Sequence, residues 1–171
     1  MGTETEGVET SLPSQGRGVD SVDMRLEFVM VPVADVGRAK SFYQSLGWRE
    51  DADIGEGPGR VVQMTPPRSD CSAMLVGPGH TTAAPGSVQG LYLAVEDVEA
   101  ARAELVGRGV DVSEVFHDAG GGLPLANGQG RVPGLAPNRG SYFSFASFND
   151  PDGNGWFLQE ITTRFPGRLW Q

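Results

Sequence analysis

Cysteine and histidine are scarce in this chain: 171 residues hold one Cys, at position 71, and two His, at 80 and 117. A lone thiol excludes an intramolecular disulfide and the paired spacings of a cysteine–histidine zinc site, and it suits a reducing compartment. Cations are also few. Thirteen Lys and Arg stand against 22 Asp and Glu, for a formal net charge of −9, so phosphate backbones would be repelled and nucleic acid is not an expected partner. That charge aids solubility and is compatible with a cationic small ligand. No apolar run reaches the roughly 20 residues needed to span a bilayer. The opening Met1-Gly-Thr-Glu-Thr-Glu6 is acidic and polar, unlike a secretory or transit leader; the expectation is a cytoplasmic protein with no membrane partner. A glycine-rich phosphate motif and a Ser-His-Asp signature are missing too.

What the chain does have is a repeat. Val33-Ala-Asp-Val-Gly-Arg-Ala-Lys40 returns 62 residues later as Val95-Glu-Asp-Val-Glu-Ala-Ala-Arg102, and Gly47 returns as Gly109. Upstream, Val29, Val31 and Val33 fall on Leu91, Leu93 and Val95, the period-two alternation of a half-buried strand. Asp35 and Asp97 read as helix N-caps and the two glycines as left-handed stops. Between them Val36, Ala39, Phe42, Tyr43 and Leu46 form one apolar helical face, with Val98, Ala101 and Leu105 in the second copy. A duplication of this length is read before any single residue.

In chain order, residues 1–23 are polar and aperiodic and read as a disordered tail. The first module spans 24–77, with strands over Leu26–Val33, Val61–Met64 and Ser72–Val76. A linker of helix and strand breakers covers 78–88. The second module spans 89–163, with strands over Leu91–Val95, Val110–His117, Tyr142–Phe148 and Trp156–Thr162, and 164–171 is a C-terminal tail. The modules align at an offset of 62 through their helices and 84 through their last strands when Pro67 is laid on Pro151. The second is therefore longer by 22 residues, gathered in a Gly/Pro-rich insertion at about 118–140 that is too rich in breakers for regular structure. An insertion of that length suits a lid. The predicted fold class is α+β: two tandem βαβββ modules forming a cupped mixed sheet, helices on the convex face and a ligand in the cup.

The repeated Val-x-Asp-Val-x-x-Ala-Lys/Arg, the Phe42-Tyr43 and Leu46-Gly47 that end the first helix, and Asn149-Asp-Pro-Asp-Gly-Asn-Gly-Trp-Phe-Leu-Gln-Glu160 resemble the vicinal oxygen chelate superfamily, which includes glyoxalase I, extradiol dioxygenases and bleomycin-binding proteins. The resemblance covers about residues 25–163 and implies a homodimer. Metal-dependent members carry ligands on the first and last strand of each module. On this alignment those positions are Phe28, Val76, Gly90 and Glu160, and three of the four have no donor atom. Glu27 and Gln89, next door and also 62 apart, belong to the other face by strand alternation. No metal and no cofactor are expected.

With that register the cup wall is Phe28, Met30 and Tyr92 from the first strands, and Trp156, Leu158 and Glu160 from the last. Tyr142 adds an aromatic ring, and the insertion offers Arg131 and Arg139 to an anionic group. An aromatic wall with few polar groups suits a small hydrophobic or aromatic molecule. The leading expectation is a metal-free binding protein of the antibiotic-sequestering kind. The alternative is a metal-independent enzyme in which Glu160, its pKa raised by desolvation, and His117 serve as acid and base. A metal-dependent lyase, isomerase or dioxygenase ranks third. Cys71 has no neighbouring base in the sequence and is not read as a nucleophile.

Overall fold

The computed structural model describes residues 22–168, so most of the expected N-terminal tail and the last three residues lie outside the described part. The first module runs β1 (Phe28–Pro32), α1 (Val36–Ser45), β2 (Arg49–Ile54), β3 (Val61–Thr65) and β4 (Ser72–Val76). The second runs β5 (Leu91–Val95), α2 (Val98–Gly107), β6 (Phe116–Asp118), β7 (Arg131–Pro133), β8 (Phe145–Asn149) and β9 (Gly155–Glu160). The sheets are separate: four strands ordered β1-β4-β3-β2, and five ordered β5-β9-β8-β6-β7. Each is mixed, because β1 and β4, like β5 and β9, are parallel while the other pairs are antiparallel. This is the expected α+β class with two βαβββ-type modules.

The repeated signals act as the duplication requires. Asp35 accepts from the Arg38 amide and Asp97 from the Ala100 amide, both at 2.9 Å, each cap contributing about 1 kcal/mol. Gly47 and Gly109 follow the helices at φ +84° and +88°, a conformation costly for any residue with a Cβ.

Both helix-covered faces meet in one core. Val31, Val33, Val62 and Leu75 from the first sheet join Ala146, Phe148, Trp156 and Leu158 from the second, with Ala39, Tyr43 and Val98 from the helices between them. Phe42 and Tyr43 of α1 reach across to Phe148 and Trp156 (ring centroids 6.5 and 6.0 Å), and Trp48 packs edge-on to Trp156 at 5.1 Å. Fully burying one such side chain contributes about 1.5–3 kcal/mol. The modules are thus joined back to back, and the sheet faces opposite the helices turn outward. β1 and β5 each have one unpaired edge.

Strand limits differ from the sequence reading in the second module. Val110–His117 is not one strand: only Phe116–Asp118 pairs regularly, preceded by a single bridge from Val112 to Phe148. The insertion is not devoid of regular structure, because Arg131–Pro133 pairs antiparallel with β6 and Pro137–Arg139 makes a 3-10 turn. Breakers shorten such strands without forbidding them, and β7 is an edge strand, where Pro133 loses no ladder bond.

Candidate functional site

Register decides which residues face outward. Val29 pairs with Ala73 and its repeat mate Leu91 pairs with Trp156, so the last strands correspond at 83 residues. One strand earlier, Met64 opposes Ala73 and Phe148 opposes Trp156, a spacing of 84. The β8–β9 turn is therefore one residue shorter than the β3–β4 turn. A single-residue slip inverts every side chain of a strand: the match of Glu160 to the family's glutamate sets it on the ligand side, laying Pro67 on Pro151 only carries that choice to Val76, and the strand pairings put Glu160 on the other side.

Three expected wall residues consequently lie on the opposite, helix-bearing face. Trp156 and Leu158 are core residues, and the Trp156 indole N–H donates to the Tyr43 hydroxyl at 2.9 Å. Glu160 is fully buried. It accepts from the Val98 amide at the start of α2 (3.0 Å) and from Arg139 Nε and Nη2 (2.8 and 2.9 Å). The Arg139 guanidinium holds the Glu160 carboxyl below its ordinary value, outweighing the opposing effect of burial; the raised pKa expected of a carboxylate in an apolar cup does not arise. Arg139 is engaged by Glu160, Asp97 and Glu99. Tyr142 stacks on Phe165 at 4.2 Å and its hydroxyl accepts from the Phe165 amide. His117 follows Phe116 and therefore projects from the other face, where Nδ1 donates to the Gly134 carbonyl at 2.9 Å. The structure does not bring Glu160 and His117 to the cup face.

Phe28, Met30 and Tyr92 do stand on the outward faces, 39%, 45% and 36% exposed. Phe28 and Met30 belong to the first sheet and Tyr92 to the second, so one chain supplies two half-cups rather than one hollow. The richer half-cup is on the second sheet. Tyr92 lies face to face with its cross-strand partner Phe157 (4.9 Å, 18° between planes), and Phe116 and Phe145 complete the aromatic cluster. Above it the insertion contributes Pro124, Leu125 and Arg131 to a cavity of about 530 Å³ whose floor includes Gly90. Gly90 has φ +74°, a conformation that favours glycine, and a Cβ there would meet nothing within 4 Å, so open space lies beside it. Phe157 and Arg131 bear directly on this site; the sequence offers Arg131 as a candidate, whereas setting Glu160 on the ligand side turns Phe157 away.

The outward positions Phe28, Gly90, Met74 and Phe157 do not fit a chelated divalent ion: Met74 alone has a donor atom, a soft thioether. Among the described residues no cluster of three His, Cys, Asp or Glu is placed to hold a metal. Cys71 is half-buried, and desolvation raises its thiol pKa. No described helix is long and apolar enough to cross a membrane.

Back-to-back βαβββ modules, each with an outward sheet face, define a duplicated scaffold. The profile of the Glyoxalase/Bleomycin resistance protein/Dioxygenase superfamily matches residues 25–158, and the chain belongs to that superfamily. Among solved structures it is similar to TnmS3, an antibiotic binding protein from Streptomyces sp. CB03234, at 31% identity over 83% of this chain and 99% of that one, with a TM-score of 0.61. A glyoxalase/bleomycin resistance protein from the same Streptomyces strain is 32% identical over 80% and 100%, TM-score 0.58. A superfamily member from Sphaerobacter thermophilus DSM 20745 is 25% identical over 81% and 98%, TM-score 0.60. No curated protein matches the chain.

Proposed function

We propose that this protein binds a small aromatic or hydrophobic organic molecule without a metal, as a sequestering protein rather than a catalyst. The observation that carries this reading is the Tyr92–Phe157 stacked pair lining the open cavity on the second sheet. Its 530 Å³ falls within the range of drug-sized ligand sites, and its walls set the aromatic surfaces of Tyr92 and Phe157 beside the polar side chains of Gln89, Arg131, Ser147 and Asn149. The antibiotic-binding relative supports the same class of ligand. The carboxylate and imidazole that acid–base catalysis would have used are engaged elsewhere.

The test is a thermal-shift screen of planar polycyclic antibiotics, since a ligand of the folded state raises the melting temperature. For a compound that shifts the wild type, Tyr92→Ala should weaken binding about tenfold, the loss of one stacking surface, measured by fluorescence titration. Unchanged affinity would remove the second half-cup from the site. An inert screen would overturn the binding reading itself.

The half-cups also support a homodimer. Phe28 and Met30 are exposed apolar groups beside the free edge of β1, and Tyr92 stands beside the free edge of β5. A two-fold pairing that sets the first sheet of one copy against the second sheet of the other would cover both edges. Met30→Asp should then convert a dimer to a monomer in light scattering after size exclusion. A wild type that is already monomeric at tens of micromolar would exclude this arrangement.

A further inference from the structure

Arg131 is placed unlike the paired cations of this chain. Its guanidinium carbon sits 4.3 Å above the Phe116 ring and 5.7 Å from that of Phe157, so one planar face of the cation is spent on the aromatic floor. Its N–H edge is not: among the described residues the guanidinium donates no hydrogen bond and makes no ion pair. Asp118, opposite it in the β6–β7 ladder, turns one oxygen to the Gly120 amide at 2.8 Å and forms no ion pair with Arg131. Arg139, the other cation of the insertion, is held by three carboxylates. An arginine with its face stacked and its edge open presents parallel donors in the geometry that suits a carboxylate or similar planar oxyanion.

We infer that Arg131 selects the ligand of the second half-cup, and that this ligand is a planar aromatic molecule carrying an ionised acidic group. The aromatic body lies on Tyr92 over the space left by Gly90, under Leu125, and the acidic group meets the free edge of Arg131. This rests on the binding function proposed above and specifies its chemistry. It also reverses the expectation drawn from net charge. A surface at −9 favours cations at long range, but such fields are screened beyond about 8–10 Å, whereas Arg131, exposed at the rim of the cavity, acts at hydrogen-bond distance.

The experiment uses two probes of nearly equal shape, an anthraquinone carboxylate and the corresponding neutral carboxamide, titrated into the full-length protein at pH 7. Wild type should bind the carboxylate about tenfold or more tightly than the carboxamide, as expected for one charge-assisted pair. Arg131→Met should abolish that preference by weakening the carboxylate alone, while Arg131→Lys should keep part of it. Circular dichroism and the melting temperature verify that each variant is folded. Equal affinity of wild type for the two probes, or a preference that survives Arg131→Met, overturns the assignment of Arg131 and leaves the aromatic site standing. Failure of both probes to bind wild type overturns the assignment together with the reading beneath it.

Discussion

Tyr43→Phe should lower the unfolding free energy by about 2–3 kcal/mol, although it removes a single oxygen atom. That oxygen joins the modules. The Tyr43 hydroxyl accepts from the Trp156 indole at 2.9 Å and donates to Asp150 Oδ2 at 2.9 Å. The phenol is fully buried, and desolvation, reinforced by the Asp150 charge, pushes its pKa far up, so it stays protonated and remains a donor. Asp150 in turn orders the β8–β9 turn, accepting from the Asp152 and Asn154 amides, while the Asn154 side chain spans Asp150 and the Pro32 carbonyl of the first module. Phenylalanine would fill the same space and leave the indole N–H without a partner in a site closed to water. An orphaned buried donor costs about 1–3 kcal/mol, and weakening of the carboxylate's shell adds to it. Urea denaturation should show a lower midpoint at unchanged slope. A loss below about 0.5 kcal/mol, the size of an ordinary surface change, would mean that this network does not hold the modules together.

Arg139→Met should lower stability at neutral pH and change the acid limb of the stability curve. Removing one partner of an ion pair leaves the other charge uncompensated; here the Glu160 side chain is fully buried while Arg139 is 43% exposed, so solvent around the arginine softens the loss. Because the folded-state pKa of Glu160 lies below its ordinary 4.5, its contribution is fully present above about that value. It is lost as the pH falls below it and the folded carboxyl takes up a proton. Wild type should therefore lose stability on acidification through that window. In the variant the carboxyl keeps only the Val98 amide against desolvation, its folded pKa rises, and this part of the acid slope should disappear. Methionine is preferred to glycine as the replacement because position 139 has φ +49°, where glycine would also relieve backbone strain. Parallel stability curves for the two proteins between pH 3 and 7 would show that the pair has no energetic role.

Most of the scaffold could be read from residues that do the same job twice. Asp35 and Asp97 cap helices and Gly47 and Gly109 end them because those roles depend on a few neighbouring backbone atoms, which local sequence controls. The alternation through Val29–Val33 and Leu91–Val95 likewise placed Phe28, Met30 and Tyr92 on the outward faces correctly. The last strand failed for a specific reason. Its expected faces follow from the match of Glu160 to the family's glutamate, and periodicity within Trp156–Glu160 cannot check that, since apolar side chains stand on both faces. The pairing of Leu91 with Trp156 settles it, and that contact lies 65 residues away along the chain.

The amino-acid order by itself determined the duplication, the α+β class, the two capped helices and the lack of chelating side chains on the first strands, all consequences of short-range backbone chemistry and period-two burial. Only the tertiary structure decided that the modules join through their helix-bearing faces, that Glu160 anchors α2 through Arg139 instead of facing a ligand, and that Phe157 and Arg131 build the aromatic hollow. Those outcomes depend on strand register and on partners distant in sequence, where one residue more or less in a turn exchanges the inside of a sheet for its outside.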